Sequence, residues 1–467
     1  MNLQAEEFIN NDEILMVMEE AKTLVNDKAV IEDILKRASN YEGLTHKDVS
    51  ILLNVESKEI LNKMYEIAGN IKNKIYGNRI VLFAPLYVSN HCVNNCTYCG
   101  YKCSNTNIER KKLTMNELKE EVKILESMGH KRLALEVGEH NKHAPIDYVI
   151  DCLDTIYSIK FENGSIRRVN VNIAATTIDE YKKLKDSEIG TYILFQETYH
   201  KNTYEKVHKS GPKSDYKWHT EAMDRAMEAG IDDVGIGVLY GLYDYKYETI
   251  AMMMHKEHLE NKFNVGPHTI SVPRLRPAEG VCYEDYDLVD DKDFKKIVAI
   301  IRMAVPYTGI ILSTREEPEF RNEVMKVGVS QISAGSCTGV GGYVKEANNS
   351  NEKPQFEVGD HRSPLEIIKD LCSQDYIPSY CTACYREGRT GERFMDLAKS
   401  GQIHNVCLPN AIMTFKEYLM DYSDEECLQL GEEKIKEFLE SIPNEKAREV
   451  TKSYLNRIED GERDLRF

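Results

Sequence analysis

From residue 80 onward the chain repeats one alternation, a short apolar run followed by an amphipathic stretch of helical period. The runs cover 80–88, 132–137, 169–174, 191–196, 234–239, 269–273, 309–313 and 331–334. Parallel strands need a crossover between them, so strands that alternate with helices predict a parallel sheet. Eight such units fit a closed (β/α)8 barrel, an α/β fold, better than an open doubly wound sheet; a partial barrel of about six strands also satisfies the pattern. Thr114-Met-Asn-Glu117 and Thr177-Ile-Asp-Glu180 read as capping boxes, and Gly129, Gly230 and Gly328 stand where helices should end.

Residues 12–77 have helical spacing, with Ile60, Met64, Ile67 and Ile71 recurring along it, and offer no chemistry. Residues 340–359 are polar and rich in Gly and Asn, which suits a linker; helices follow, ending in Glu- and Lys-rich ones over 432–439 and 445–457. The expected division is a helical N-terminal extension at 1–79, the barrel at 80–340 and a helical C-terminal domain at 341–467. Sixty basic against 77 acidic residues leave a net charge of −17, which argues against a chain that grips nucleic acid. The opening residues, Met1-Asn-Leu-Gln-Ala-Glu-Glu7, carry no basic region followed by an apolar core, and no apolar run approaches about eighteen residues. A cytoplasmic protein that does not engage a membrane is the expectation.

Twelve cysteines in such a chain point to metal or redox chemistry rather than to disulfides. Six fall into two clusters, while Cys103, Cys152, Cys282, Cys337, Cys372 and Cys427 stand apart and read as small hydrophobes. The first cluster, Cys92-Val-Asn-Asn-Cys96-Thr-Tyr-Cys99, forms one tight loop after the first strand, where a barrel of this type builds its active site. Three thiolates bind a soft or borderline metal and leave one position for a non-protein ligand. A zinc knuckle completed by Cys103 is the structural alternative. CxxxCxxC with Tyr98 before its last cysteine resembles the radical S-adenosylmethionine (SAM) superfamily. The resemblance implies a 4Fe-4S cluster on Cys92, Cys96 and Cys99 whose fourth iron chelates SAM, with Tyr98 beside the cofactor.

Polar residues after the other strands come next. Glu136-Val-Gly138-Glu139 resembles the superfamily's Gly-Gly-Glu motif, with Val137 in place of the first glycine, and implies contacts from Gly138 and Glu139 to the SAM amino group. Glu197, after the fourth strand, resembles a carboxylate that hydrogen-bonds SAM; taken alone it reads as a surface loop residue. Ser313-Thr-Arg315-Glu316, after the seventh, sets a guanidinium at the barrel mouth, where it can hold a carboxylate bidentately or pair with Glu316 or Glu317. Gly339-Val-Gly341-Gly342 matches no phosphate loop and reads as a turn.

Cys381-Thr-Ala-Cys384 and, after 22 intervening residues, Cys407 form the second trio; His404 would complete a closed zinc site. CxxxCxxC, Ser-Thr-Arg-Glu and the C-terminal trio together resemble the radical SAM tyrosine lyases that mature iron-iron hydrogenase, over nearly the whole chain. Related aromatic amino acid lyases, such as the 2-iminoacetate synthase of thiamine synthesis, lack that trio. The resemblance implies reductive cleavage of SAM to methionine and a 5′-deoxyadenosyl radical, which abstracts hydrogen from the amino group of L-tyrosine. Arg315, with Ser313, would hold that substrate. Cα–Cβ cleavage would then release p-cresol, and the glycine-derived fragment would yield carbon monoxide and cyanide.

The same resemblance implies a second 4Fe-4S cluster on Cys381, Cys384 and Cys407, bridged by free L-cysteine to a fifth iron that His268 also holds. It implies an electron donor and other hydrogenase maturation proteins as partners. On its own His268, at the start of the sixth strand, reads as a hydrogen-bonded structural residue. The resemblance sets it at the amino end of the barrel, with the C-terminal region plugging that end and a partly hollow interior between. Ala174, Gly235, Gly237 and Ser271 fit such an interior. Two other readings stay open: a radical SAM aromatic amino acid lyase with a structural C-terminal metal, and a carrier that stores an iron unit without catalysis.

Overall fold

The computed structural model describes residues 4–281, 286–348 and 354–467, without the side chain of His404. Residues 1–3, Cys282, the 349–353 part of the expected linker and the fourth ligand of the zinc alternative thus lie outside the described residues.

Eight parallel strands close in sequence order: β1 (Arg79–Ser89), β2 (Arg132–Val137), β3 (Arg168–Asn172), β4 (Tyr192–Ile193), β5 (Val234–Gly237), β6 (Thr269–Ser271), β7 (Gly309–Leu312) and β8 (Gln331–Ser333). β1 pairs with both β2 and β8, which completes the barrel and excludes the partial one. Every expected run holds a strand. β4 is shorter than its run, yet its ladder continues as single bonds, from Leu194 N to Gly235 O (3.1 Å) and from Gln196 N to Gly237 O (2.9 Å). Glu197 then turns the chain with a φ of 69°.

Ala174 and Ser271 line open space, as a hollow interior requires. Gly235 and Gly237 do not. A Cβ on Gly237 would stand 2.7 Å from the Ser271 carbonyl oxygen and 2.9 Å from Phe195 Cδ1, so this glycine permits close packing rather than a void.

A ninth strand, β9 (Ile377–Ser379), was not expected, because three residues carry no periodic signal. It pairs in parallel with Arg79 to Val81 of β1, below the stretch from Ala84 onward that β2 occupies. β1, at eleven residues, is long enough to serve both neighbours. Cys381 follows two residues after β9 and is thereby delivered to the amino end of the barrel.

Among the described residues five helices, Ala5–Phe8, Asn11–Leu24, Lys28–Ser39, His46–Leu53 and Lys58–Tyr76, form the N-terminal region, and the last packs on the barrel helix Asp291–Ala304. Met64 and Ile71 are buried in that packing, while Ile60 and Ile67 are only partly so. Thr114 and Glu117 make the full reciprocal capping box, whereas Thr177 caps its helix without the return bond from Glu180. The C-terminal helices Glu425–Glu440 and Glu445–Glu459 extend the expected ones.

The stretch read as a linker is structured on both sides of 349–353. The helix Gly342–Ala347 starts with the Tyr343 and Val344 N–H groups donating to the buried Glu121 carboxylate at 3.2 and 2.8 Å. Gly341 enters it at a φ of 74°, so its glycine serves a fixed turn and not flexibility. Gln355 and Phe356 then fold back to line the barrel mouth. Among the described residues, no helix is long and apolar enough to cross a membrane.

Candidate active site and C-terminal cysteine site

A cavity of about 240 Å³ occupies the carboxyl end of the barrel, and Cys92, Cys96 and Cys99 line it. Tyr87, Glu136 and Asn172, in register on adjacent strands, form one layer of its wall. Burial pushes all three thiols up. N–H groups nevertheless face two of the sulfurs: Asn94 Nδ2 donates to Cys92 Sγ (3.7 Å), and Tyr101 N and Gln355 Nε2 donate to Cys99 Sγ (3.4 and 3.5 Å). Such donors suit thiolates that a bound metal deprotonates.

The residues expected around SAM gather at this cavity. Tyr98 is buried, with its hydroxyl 2.8 Å from His208 Nε2. Gly138 passes so near the His91 carbonyl oxygen that a Cβ would stand 2.6 Å from it. Glu139 accepts from Asn94 Nδ2 (2.6 Å), and Glu197 pairs with Lys213 (2.7 Å). Burial alone would lower the Lys213 pKa, but Glu197 and the Cys96 thiol raise it overall.

Arg315 lies over Phe356, its guanidinium carbon 3.3 Å from the ring centroid, and forms no ion pair among the described residues. Glu316, the expected alternative partner, is taken by Arg274 and Arg276. Ser313 Oγ accepts from Arg315 N (3.4 Å) and also lines the cavity. Glu136 faces the same space; burial lifts its carboxyl to about 8, against the pull of Arg315. Lys213, Gln355, Phe356 and Glu136 had not been singled out as site residues. Only Glu136, an acid inside an apolar strand, carried a sequence signal.

At the amino end a smaller cavity of about 50 Å³ is lined by Cys381, Cys384, Cys407, His268, Arg79 and Arg132, among others. Cys407 donates to Cys384 and holds that thiol low, with Arg389 and Arg79 helping; the Cys407 thiol is pushed up in return. Among the described residues, Arg79 Nε, Arg132 Nε, Gln331 Oε1 and His268 Nδ1 are buried here without hydrogen-bond partners. His268 Nδ1 is 3.3 Å from Asp233 Oδ1, but misaligned for a hydrogen bond. The unsatisfied arginine donors beside three soft ligands are what an anionic metal cluster would complete. Among the described residues, no three His, Cys, Asp or Glu side chains converge on a single-ion site, so each trio brackets a space instead.

The two cavities are stacked. Val81 and Gln331 line the lower one, and Phe83 and Ser333, two residues further along the same strands, line the upper. Two residues of strand span about 7 Å.

A (β/α)8 barrel with a CxxxCxxC loop at the carboxyl ends of its strands defines a radical SAM enzyme. Residues 86–256 match the Radical SAM superfamily, and residues 271–377 match the Biotin and Thiamin Synthesis associated domain. The class brings with it a 4Fe-4S cluster and SAM, which the first cysteine loop and its cavity fit. A solved structure of HydG, a maturase of FeFe-hydrogenase, is 63% identical, covers 98% of this chain and 100% of its own, and superposes with a TM-score of 0.96. HydG from Carboxydothermus hydrogenoformans is 38% identical over 97% of this chain and 100% of its own, with a TM-score of 0.85. The 2-iminoacetate synthase of Escherichia coli (strain K12) is 32% identical over 370 residues, 79% of this chain and 95% of that protein. The chain belongs to the HydG family of radical SAM hydrogenase maturases.

Proposed function

We propose that the chain cleaves the Cα–Cβ bond of L-tyrosine in the upper cavity, releasing p-cresol, and converts the glycine-derived fragment to carbon monoxide and cyanide. Both products are built onto iron at the C-terminal cysteines, giving an iron-carbonyl-cyanide unit for FeFe-hydrogenase, in the cytoplasm. The observation that carries this function is the pair of cysteine trios at opposite ends of one barrel. Likeness to HydG over almost the whole length supports it.

Cys92, Cys96 and Cys99 would hold the SAM-binding cluster. When bound and reduced, cluster and SAM supply a carbon-centred radical able to take hydrogen from a strong N–H bond. The side chains do the rest. Arg315 holds the tyrosine carboxylate with its bidentate fork, which aims the amino group, and Ser313 steadies its loop. Gly138 lets its turn pack on the His91 backbone and would meet the SAM amino group together with Glu139, and Glu139 and Glu197, oriented by Asn94 and Lys213, offer carboxylates to the polar groups of SAM. Tyr98 packs beside SAM, while Gln355 and Phe356 exclude water from the mouth.

Cys381, Cys384 and Cys407 would hold the auxiliary 4Fe-4S cluster, and His268 a fifth iron bridged to it by free L-cysteine. Arg79 and Arg132 add positive charge for anionic ligands there. The division at 1–79, 80–340 and 341–467 assigns chemistry to the last two parts, with an electron donor and other hydrogenase maturation proteins as partners.

The alternative, favoured by the 32% identity to 2-iminoacetate synthase, is tyrosine cleavage with a structural C-terminal metal. An anaerobic reaction with SAM, tyrosine and reductant decides between them. p-Cresol together with infrared bands of iron-bound carbonyl and cyanide is the expected result. p-Cresol without the bands favours the alternative, and absence of both p-cresol and 5′-deoxyadenosine leaves only a carrier.

A further inference from the structure

Beside the C-terminal cysteine cavity opens a second basin, of about 400 Å³, and among the described residues Tyr385 alone lines both. Its hydroxyl accepts from Arg132 Nη2 (3.0 Å) and lies 2.9 Å from Thr191 Oγ1. The guanidiniums of Arg132 and Arg168 stand 5.3 and 5.5 Å from its ring centroid. Asp233, which lines the basin, also contacts His268, which lines the cysteine cavity.

The basin carries four basic and three acidic side chains. Arg386 and Arg466 are held by Asp464 and Glu387. Arg168 and Lys185 form no ion pair among the described residues. Arg168 is 7% exposed; one guanidinium nitrogen donates to the Glu188 and Ile189 carbonyls, but among the described residues Nε has no acceptor. Lys185 is at the exposed rim. Two cations that share this basin without ion-pair partners among the described residues suit the carboxylate of a small molecule.

We infer that this basin is a port for small carboxylate-bearing anions: the carboxylate docks on Arg168 and Lys185, and Tyr385 stands as the gate between it and Cys384. What waits at the inner end rests on the metal role proposed for the cysteines; the port does not.

Full-length protein freed of metal tests this by alkylation of Cys384, mapped by peptide mass spectrometry. Iodoacetate and iodoacetamide react alike, the thiolate sulfur forming a bond to carbon as iodide leaves, but only the first carries a carboxylate. Lys185→Gln and Arg168→Gln together should slow iodoacetate about tenfold and leave iodoacetamide unchanged. Tyr385→Ala should speed both. Lys185→Gln alone, at the exposed rim, keeps the test intact if Arg168→Gln fails to fold, and it should slow iodoacetate selectively by a smaller factor. Equal effects on the two reagents, or none, would overturn the anion port; unchanged rates in Tyr385→Ala would overturn the gate. If the cysteines hold no iron-sulfur centre, iron analysis reports it separately and these rates stand.

Discussion

Arg315, on a cavity wall, and Lys72, in the core, are cations without an ion-pair partner among the described residues, and they call for different remedies. Arg315 lies in a cavity a carboxylate can enter, so a compact ammonium should not replace its fork. Arg315→Lys should raise the KM for tyrosine and lower kcat, measured as p-cresol formation; unchanged values would remove Arg315 from the site. Lys72 is 1% exposed, has no hydrogen-bond partner for Nζ among the described residues, and lies 4.4 Å from the Tyr376 ring centroid. Burial, reinforced by Arg302 and Arg79, pushes it down to about 7. An unfolded lysine titrates near 10.4, so between about pH 7 and 10 the unfolded chain binds the extra proton and stability rises with pH. Lys72→Met should therefore raise Tm most below pH 7, with the gain fading toward pH 10. A gain independent of pH would mean that the lysine keeps its charge in the fold.

At the scale of elements, strand identity was legible because each barrel strand lies in a short run rich in apolar residues and is followed by a stretch of helical period. The glycines of β5 were read for the wrong reason: they look like small residues around a void, but the neighbouring strand and Phe195 fill the space. Gly237→Ala should thus lose about 1–3 kcal/mol, seen as a lower Tm, rather than fill a cavity harmlessly. β9 and the returning Gln355 and Phe356 left no readable trace. A three-residue strand has no period, and a Gly/Asn-rich stretch looks the same whether its glycines set fixed turns or swing freely.

For the whole molecule, the long β1 is what joins the two chemistries. Its upper part carries β2 and leads to the first cysteine loop; its lower part carries β9 and brings Cys381 under the barrel. The eight barrel strands close on one another without a contribution from the C-terminal cysteines. Cys384→Ala combined with Cys407→Ala should leave p-cresol formation within about twofold while abolishing the infrared bands of iron-bound carbonyl and cyanide. Bands at wild-type intensity would move assembly elsewhere.

Residue type and spacing alone determined the strand–helix alternation, the three-thiolate loop and the C-terminal trio, because periodicity and ligand spacing are local properties of a chain. Only the tertiary structure decided that the barrel closes, that Cys381, Cys384 and Cys407 meet His268 from more than a hundred residues away, and that Lys213 and Phe356 join the upper site. Those contacts depend on β9 docking against β1 and on chain folded back over the mouth, and contacts between distant segments leave no local pattern to read.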